Sequence, residues 1–543
     1  MKKHLILLAL LLNAGITMAQ KELSKDYSYT VSNPYEVFDA FEKNYFSKND
    51  QILTVKIERK EILIQKFDAK GQKIVFKSKK LYELKKIFPK NFQLEEVKEV
   101  GNKFYLFYSS WDGDNDTEQL FAREIDFDKG EFIGDNRLVV KVDGKVTGGL
   151  ASVYFYYVPS DAGTGKFNFV TSKEGNKVLV RYRKKPEKKL DTKSWDVIGL
   201  CVMDENLNIS SQEEIKMPYT ERRMDILDYA IDAEANSYAL VKVYHDDSNE
   251  NKKKKKDKVA NYHIELFRVP AGSKEIDITK IELKDNFINT LALFEGKEGS
   301  MVCAGFYNKG INYDTADGII TFKVHKEGGF YDMFTHEIPE EIIKSYLSEK
   351  QKKKVDKKKD DEDPEFPAVE LRDLVINEDG SIVLVSEQFF TRTFYTQKSS
   401  YTRYYYYDIL ISKIDAQGNL SWIKRLPKRQ IGSQGRGGMS FKYINANNYH
   451  YVLFLDNVKN HNLTKDEVPA VHTDGAGGYF TSYKINDADG SYVNSSVFNV
   501  RDIEEMTIYQ FATSRIVKVS EDDFALEVYK KKKEDVMIKV HIN

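Results

Sequence analysis

Residues 370–389, ELRDLVINEDGSIVLVSEQF, and residues 404–426, YYYYDILISKIDAQGNLSWIKRL, decide the fold. Each is an apolar run, a short polar turn and a second apolar run. The turns are Glu378-Asp379-Gly380 and Asp415-Ala-Gln-Gly418. Runs rich in β-branched and aromatic residues, punctuated by Asp, Asn and Gly, are strands joined by tight turns. A longer loop through residues 391–403 links the two halves. The unit is therefore four antiparallel strands, the arrangement of one propeller blade.

Both halves recur along the chain. The first pattern, a polar turn before a strongly apolar strand, is found at Asn49-Asp50, Gly101-Asn102, Glu174-Gly175-Asn176 and Ala235-Asn236. It returns at Glu298-Gly299, Asp379-Gly380, Asn447-Asn448 and Asp522-Asp523. The second, a strand running into an Asp- or Gly-containing turn, occupies 66–71, 124–130, 202–208, 268–273, 323–328, 413–418 and 484–490. The mean period is about 67 residues, and a self-similar period sets the architecture before any local assignment. The eighth unit stops at Asn543 without an outer strand, while Asp26–Val31 near the other end has no unit of its own. Open sheet edges invite association, so the N-terminal strand is expected to close the ring. The fold expected is all-β: a single β-propeller, eight blades favoured over seven, with separate sandwiches as the competing arrangement.

Ile411-Ser-Lys-Ile-Asp-Ala-Gln-Gly-Asn-Leu-Ser-Trp422 resembles blades of exported bacterial β-propeller proteins of an uncharacterised family. Asp415, Gly418 and Trp422 also match the spacing of quinoprotein propeller repeats, but a single unit carries that tryptophan, so the quinoprotein pattern is not met. The resemblance covers roughly residues 50–543 and implies fold rather than activity.

The first twenty residues have an export layout: Lys2 and Lys3, an apolar core over Leu5–Leu12, and Thr17-Met-Ala19 before Gln20. Residues 1–19 are expected to be a signal peptide and 20–543 the propeller domain. The product is expected to be periplasmic or secreted. No later stretch is apolar for the roughly 20 residues that a membrane-spanning helix needs. The 83 basic and 84 acidic side chains leave a net charge of −1, which gives no electrostatic reason for nucleic-acid binding. Cys201 and Cys303 sit in non-neighbouring units and are expected as separate buried thiols.

The connections of the first class are tight, whereas the second-to-third and between-blade connections carry the insertions. Within blades these are 109–117, 184–194, 245–261, 307–316, 391–405 and 456–476; between blades they are 80–97, 143–165 and 336–369. Both kinds emerge on one face of a propeller, which marks that face for binding. The lysine-rich stretches near 246–260 and 350–365 are expected to be solvated, disordered loops. Pro339–Leu347 is expected to be a surface helix with an apolar stripe of Ile342, Ile343, Tyr346 and Leu347.

Candidate ligand-binding residues lie in these connections. Arg222, Arg223, Arg429 and Arg436 belong to links that feed the innermost strands, and arginine grips carboxylate or phosphate with a planar fork. Arg392, Tyr395, Tyr401 and Arg403 occupy the most aromatic insertion, and Tyr and Arg are the residues of binding hot spots. Tyr405–Tyr407 are expected merely to begin the third strand. Trp111 precedes Asp112, Asp114 and Asp116, whose alternation is that of a calcium loop, although Thr117 and Arg123 replace the usual glycine and glutamate. Besides that weak calcium site no cofactor is expected, because serine-hydrolase elbows and His/Cys zinc motifs are missing from the sequence. The expected function is a non-catalytic binding or scaffold module of the cell envelope, holding a protein, peptide or glycan. A propeller enzyme acting on carbohydrate is the alternative.

Overall fold

The second strands of the units are apolar without alternation because both of their faces are covered. Ser237–Tyr244 and Met301–Asn308 are buried at every position, whereas the outermost strand Val75–Glu83 is exposed almost throughout. The computed structural model describes residues 23–148, 165–186, 193–252, 259–283, 286–296, 299–309, 315–359, 366–396, 399–433, 437–504 and 506–543. The expected signal peptide and Arg436 lie outside them.

Among the described residues, eight sheets follow one another along the chain, each built on four antiparallel strands, and three of them carry one or two short extra strands. Blade 1 comprises Glu42–Lys48, Gln51–Ile57, Glu61–Asp68 and Val75–Glu83. Blades 2 to 7 span 92–143, 167–220, 224–281, 287–337, 369–426 and 442–499. Blade 8 takes Ile516–Lys518, Asp523–Tyr529 and Glu534–Ile542, and Tyr27–Val31 pairs onto the last of these as its outermost strand. The protein is therefore an eight-bladed β-propeller closed by its N-terminal strand.

An apolar cluster fills each of the eight gaps between neighbouring blades, including the gap from blade 8 back to blade 1. Each fully buried Leu, Ile, Val or Phe contributes about 1.5–3 kcal/mol relative to exposure. Where bulk would not fit, glycine stands: a Cβ on Gly305 would lie 2.0 Å from the carbonyl oxygen of Thr290 on the adjoining strand. Cys201 and Cys303 are separate, buried and free.

The tight turns have local causes. Asn49 and Asp50, like Asn447 and Asn448, both take positive φ, the geometry of a two-residue hairpin turn. In Asp204–Asn208 and Asp415–Asn419 the aspartate carboxylate accepts two backbone N–H groups and the asparagine amide. These side chains replace strand pairing where the chain reverses.

Two expectations change. The Pro339 helix is shorter than its apolar stripe: it covers Glu340–Lys344, and Tyr346 turns back with φ of 60°. The second lysine-rich stretch contains an α-helix, Glu349–Lys359. Ser348 and Gln351 form its capping box, with Ser348 N–H donating to Gln351 Oε1 at 3.0 Å and Gln351 N–H to Ser348 Oγ at 3.4 Å. Lysine is a good helix former, so a charged run with a cap becomes helix rather than loop. Lys352 then ties it to Asp466 at 2.7 Å. No helix among the described residues is long and apolar enough to cross a membrane.

Candidate functional site

Because neighbouring strands are antiparallel and ordered from inside out, second-to-third and between-blade connections share a face. On that face blade 6 departs from its siblings. Its second and third strands, Ile382–Tyr395 and Ser400–Ile414, have 14 and 15 residues, against 7 to 10 in the other blades. The insertion expected as a loop over 391–405 is thus a β-hairpin arm, in which Phe389–Tyr395 pairs with Ser400–Tyr406. At about 3.3 Å per residue it stands roughly 20 Å beyond the blade.

The arm starts at a register shift between Glu387/Ile409 and Phe389/Tyr406, a bulge that re-aims the strands. Beneath it lies a buried ionic network. Glu387 Oε1 accepts from Lys428 Nζ at 2.7 Å, and both side chains are wholly inaccessible to solvent. Its other oxygen accepts from Arg372 Nε at 2.9 Å and Ser440 Oγ at 3.0 Å. Burial lowers the pKa of Lys428, and the Glu387 carboxylate opposes the shift. Phe389, Tyr406 and Met439 pack over this network. Gln430–Gly432, in the link to blade 7, pairs with Tyr404–Tyr406 and so buttresses the arm's base.

Register then places side chains. Phe390 faces Tyr405, Arg392 faces Arg403, and Phe394 faces Tyr401, all on one side of the hairpin. Phe390 and Tyr405 stack with centroids 4.6 Å apart, and Phe394 and Tyr401 with centroids 5.2 Å apart. The Arg392 guanidinium lies over the inner pair, 5.3 and 5.5 Å from its rings. That of Arg403 lies 5.7 Å from each ring of the outer pair. The result is a ladder of aromatic, arginine and aromatic rungs. Tyr395, on the opposite side, is 83% exposed. Residues Phe389–Tyr406 contain Arg392, Lys398 and Arg403 and not one carboxylate.

Four of the expected residues, Arg392, Tyr395, Tyr401 and Arg403, thus share this arm. The reading of Tyr405 as merely a strand residue is incomplete, because its ring is the base of the ladder. The missed signal is a mirrored spacing: Phe390-x-Arg392-x-Phe394 and Tyr401-x-Arg403-x-Tyr405 superpose when the chain folds back.

The remaining candidates lie elsewhere on the face. Arg222 and Arg223 occupy a 3-10 turn, Glu221–Arg223, between blades 3 and 4. Arg223 donates twice to the Tyr244 carbonyl, and Glu221 pairs with Arg183 at 3.1 Å. Arg222 is exposed. Arg429 lies over Tyr407 at the root of the blade 6 arm, 5.8 Å from its ring. Trp111 is in blade 2, across the ring from blade 6, with Lys145 over its indole at 5.0 Å. Asp112 accepts hydrogen bonds from the Asn115 side chain and from the backbone of Asp114 and Asn115, which hold its pKa down. Asp116 takes a left-handed φ of 51° at the same turn. Among the described residues no group of three or more His, Cys, Asp or Glu side chains is placed to hold a metal ion.

No protein-family model matches the chain, and no curated protein matches it in sequence. Among solved structures it is similar to a prolyl endopeptidase, with 10% identity over 93% of this chain and 55% of that one, at a TM-score of 0.39. It is similar also to prolyl oligopeptidase B from Galerina marginata, with 10% identity over 96% and 56% and a TM-score of 0.35. A third similarity is to the β-propeller domain of the Trilobed protease from Pyrococcus furiosus, with 10% identity over 90% and 98% and a TM-score of 0.31. The chain spans about half the length of the first two.

Proposed function

We propose that the protein is a non-catalytic binding module of the cell envelope that holds a partner protein or peptide on its insertion-rich face, through the blade 6 arm. One observation carries this reading: a long hairpin on a buried ionic base presents exposed tyrosines and arginines and contains no acid of its own. Tyrosine and arginine supply contact area and directional donors at little entropic cost, and they dominate binding hot spots. A rigid base keeps that cost low, since a preformed surface loses less freedom on association.

The alternative, an enzyme acting on carbohydrate, draws on Glu370, whose pKa is raised by burial to about 7. Glycoside hydrolysis uses two carboxyl groups facing one cleft. The cross-strand neighbour Glu387 is fully buried and committed to Lys428, Arg372 and Ser440, which favours the binder.

The test is quantitative capture of partners from the envelope fraction, comparing the wild type with a variant in which Thr391 and Tyr404 are rejoined by an Asn-Gly turn. The turn suits a two-residue hairpin, so the propeller is expected to keep its fold. A specific partner held by the wild type and lost by the shortened variant is the expected result. Equal capture by both removes the arm from the function.

A further inference from the structure

The arm has a feature that folding does not explain. Arg392 and Arg403 are direct cross-strand neighbours, and like charges in that relation are destabilising. Each guanidinium has aromatic rings beneath it, and among the described residues neither has a carboxylate partner. A cation–π contact engages the charge of a guanidinium and not its N–H donors, which remain open to an acceptor.

The arm also has a free backbone edge. On one side, Phe389–Tyr395 pairs with Ser400–Tyr406. On the other, pairing with the innermost strand ends at Gln388/Val369, and a last hydrogen bond runs from Phe389 N–H to the Ala368 carbonyl. Beyond that point, among the described residues, the edge of Phe390–Tyr395 has no strand beside it. An unpaired edge is a template for an added strand.

We propose that this edge accepts an extended acidic peptide segment of a partner protein, which adds as a strand with a glutamate beside Arg392. The proposal rests on the binding-module reading above and specifies its ligand. Side chains of an added strand face the ladder at every second residue, about 6.6 Å apart. A residue beside Arg392 therefore has its i−2 and i+2 neighbours beside Phe394 and Phe390. The segment recognised has the pattern apolar-x-acid-x-apolar. The carboxylate accepts a forked pair of hydrogen bonds from Arg392 and lies in the field of Arg403. It thereby relieves the repulsion between the two arginines.

The probe is a fluorescein-labelled peptide, Ser-Leu-Thr-Glu-Thr-Leu-Ser, titrated with the full chain and followed by anisotropy. Its glutamine analogue is expected to bind about tenfold or more weakly, a difference of one charge-assisted contact. A backbone N-methylated glutamate peptide, which cannot pair as a strand, is expected to lose a similar factor. With Arg392→Gln/Arg403→Gln the glutamate and glutamine peptides should bind alike. Equal affinities of the glutamate and glutamine peptides for the wild type would overturn the acid preference. Full affinity of the N-methylated peptide would overturn strand addition. Partner capture separates the two levels of the argument. Loss with the shortened arm but retention with Arg392→Gln/Arg403→Gln overturns the acidic ligand and leaves the binding arm standing; retention with both overturns both.

Discussion

Lys56 of blade 1 and Glu527 of blade 8 form an ion pair that is completely buried, and it spans the seam where the ring closes. Tyr35 and Tyr45 each donate a hydroxyl to the same carboxylate at 2.7 Å, and Lys43 approaches it at 3.4 Å. Removing the glutamate leaves Lys56 and Lys43 with only the more distant Asp535, 3.7 Å from each, to offset their charge. Glu527→Gln is therefore expected to cost about 3–5 kcal/mol, measured by urea unfolding, whereas Glu534→Gln, which breaks a solvent-accessible pair with Lys530, is expected to change little.

The same seam makes stability pH-dependent. Burial opposes ionisation of Glu527, but Lys56, Lys43 and Arg515 outweigh it and hold the pKa at about 2, below the ordinary 4.5. A depressed carboxylate stabilises the fold above its unfolded pKa, and that contribution is lost as pH falls from about 4.5 toward 2. Asp535 works the other way, its pKa raised by burial and by Glu527. The wild type should lose stability steeply below pH 4.5, and Glu527→Gln should flatten that part of the curve.

Glu370 titrates in another window. Its raised value, about 7, means that the folded state binds a proton more tightly than the unfolded chain does. The corresponding stability is present below about pH 4.5 and is lost as pH rises through 7. The free energy of unfolding, measured from pH 5 to 8, should fall less for Glu370→Gln than for the wild type.

Deleting the N-terminal strand through Val31 should open the ring. It uncovers the backbone edge of Ile538–Ile542 and removes Tyr27, Tyr29 and Val31 from the cluster between blades 7 and 8. The hydrogen bond between Tyr27 and Ser482, 2.8 Å, goes with it. Light scattering should show concentration-dependent association, because an uncovered edge pairs with another chain. A monomer with unchanged Tm would contradict closure of the ring by the N-terminal strand.

Lys428→Met should loosen the arm from below. It leaves the buried Glu387 carboxylate with Arg372 as its one remaining cation, and losing the charge-assisted bond from Lys428 is expected to cost about 1.5–3 kcal/mol. Hydrogen exchange should quicken across Phe389–Tyr406 more than in blade 2, where no such pair is disturbed.

The blades were legible because their cause is local: polar turns at a regular period around strands that are apolar on both faces. Closure was legible because blade 8 lacked a strand and Asp26–Val31 lacked a sheet. The site was legible only in part. Arg392, Tyr395, Tyr401 and Arg403 stood out by residue type, but their arrangement depends on the hairpin register, which pairs Arg392 with Arg403 and makes Tyr405 a rung. The buried Glu387–Lys428 pair was hidden because the two residues are far apart in sequence and meet only through the link to blade 7. The helix at Glu349–Lys359 has only its Ser348/Gln351 capping box to mark it in a stretch whose charge density is that of a solvated loop.

The most direct test of the binding arm is site-specific photo-crosslinking in the envelope, with a photoreactive phenylalanine at Tyr395 and, separately, at Asn102 in a tight turn on the opposite face. The account predicts a discrete partner adduct from position 395 and none from 102. An adduct from 102 with nothing at 395 would place the binding surface on the other face and contradict it.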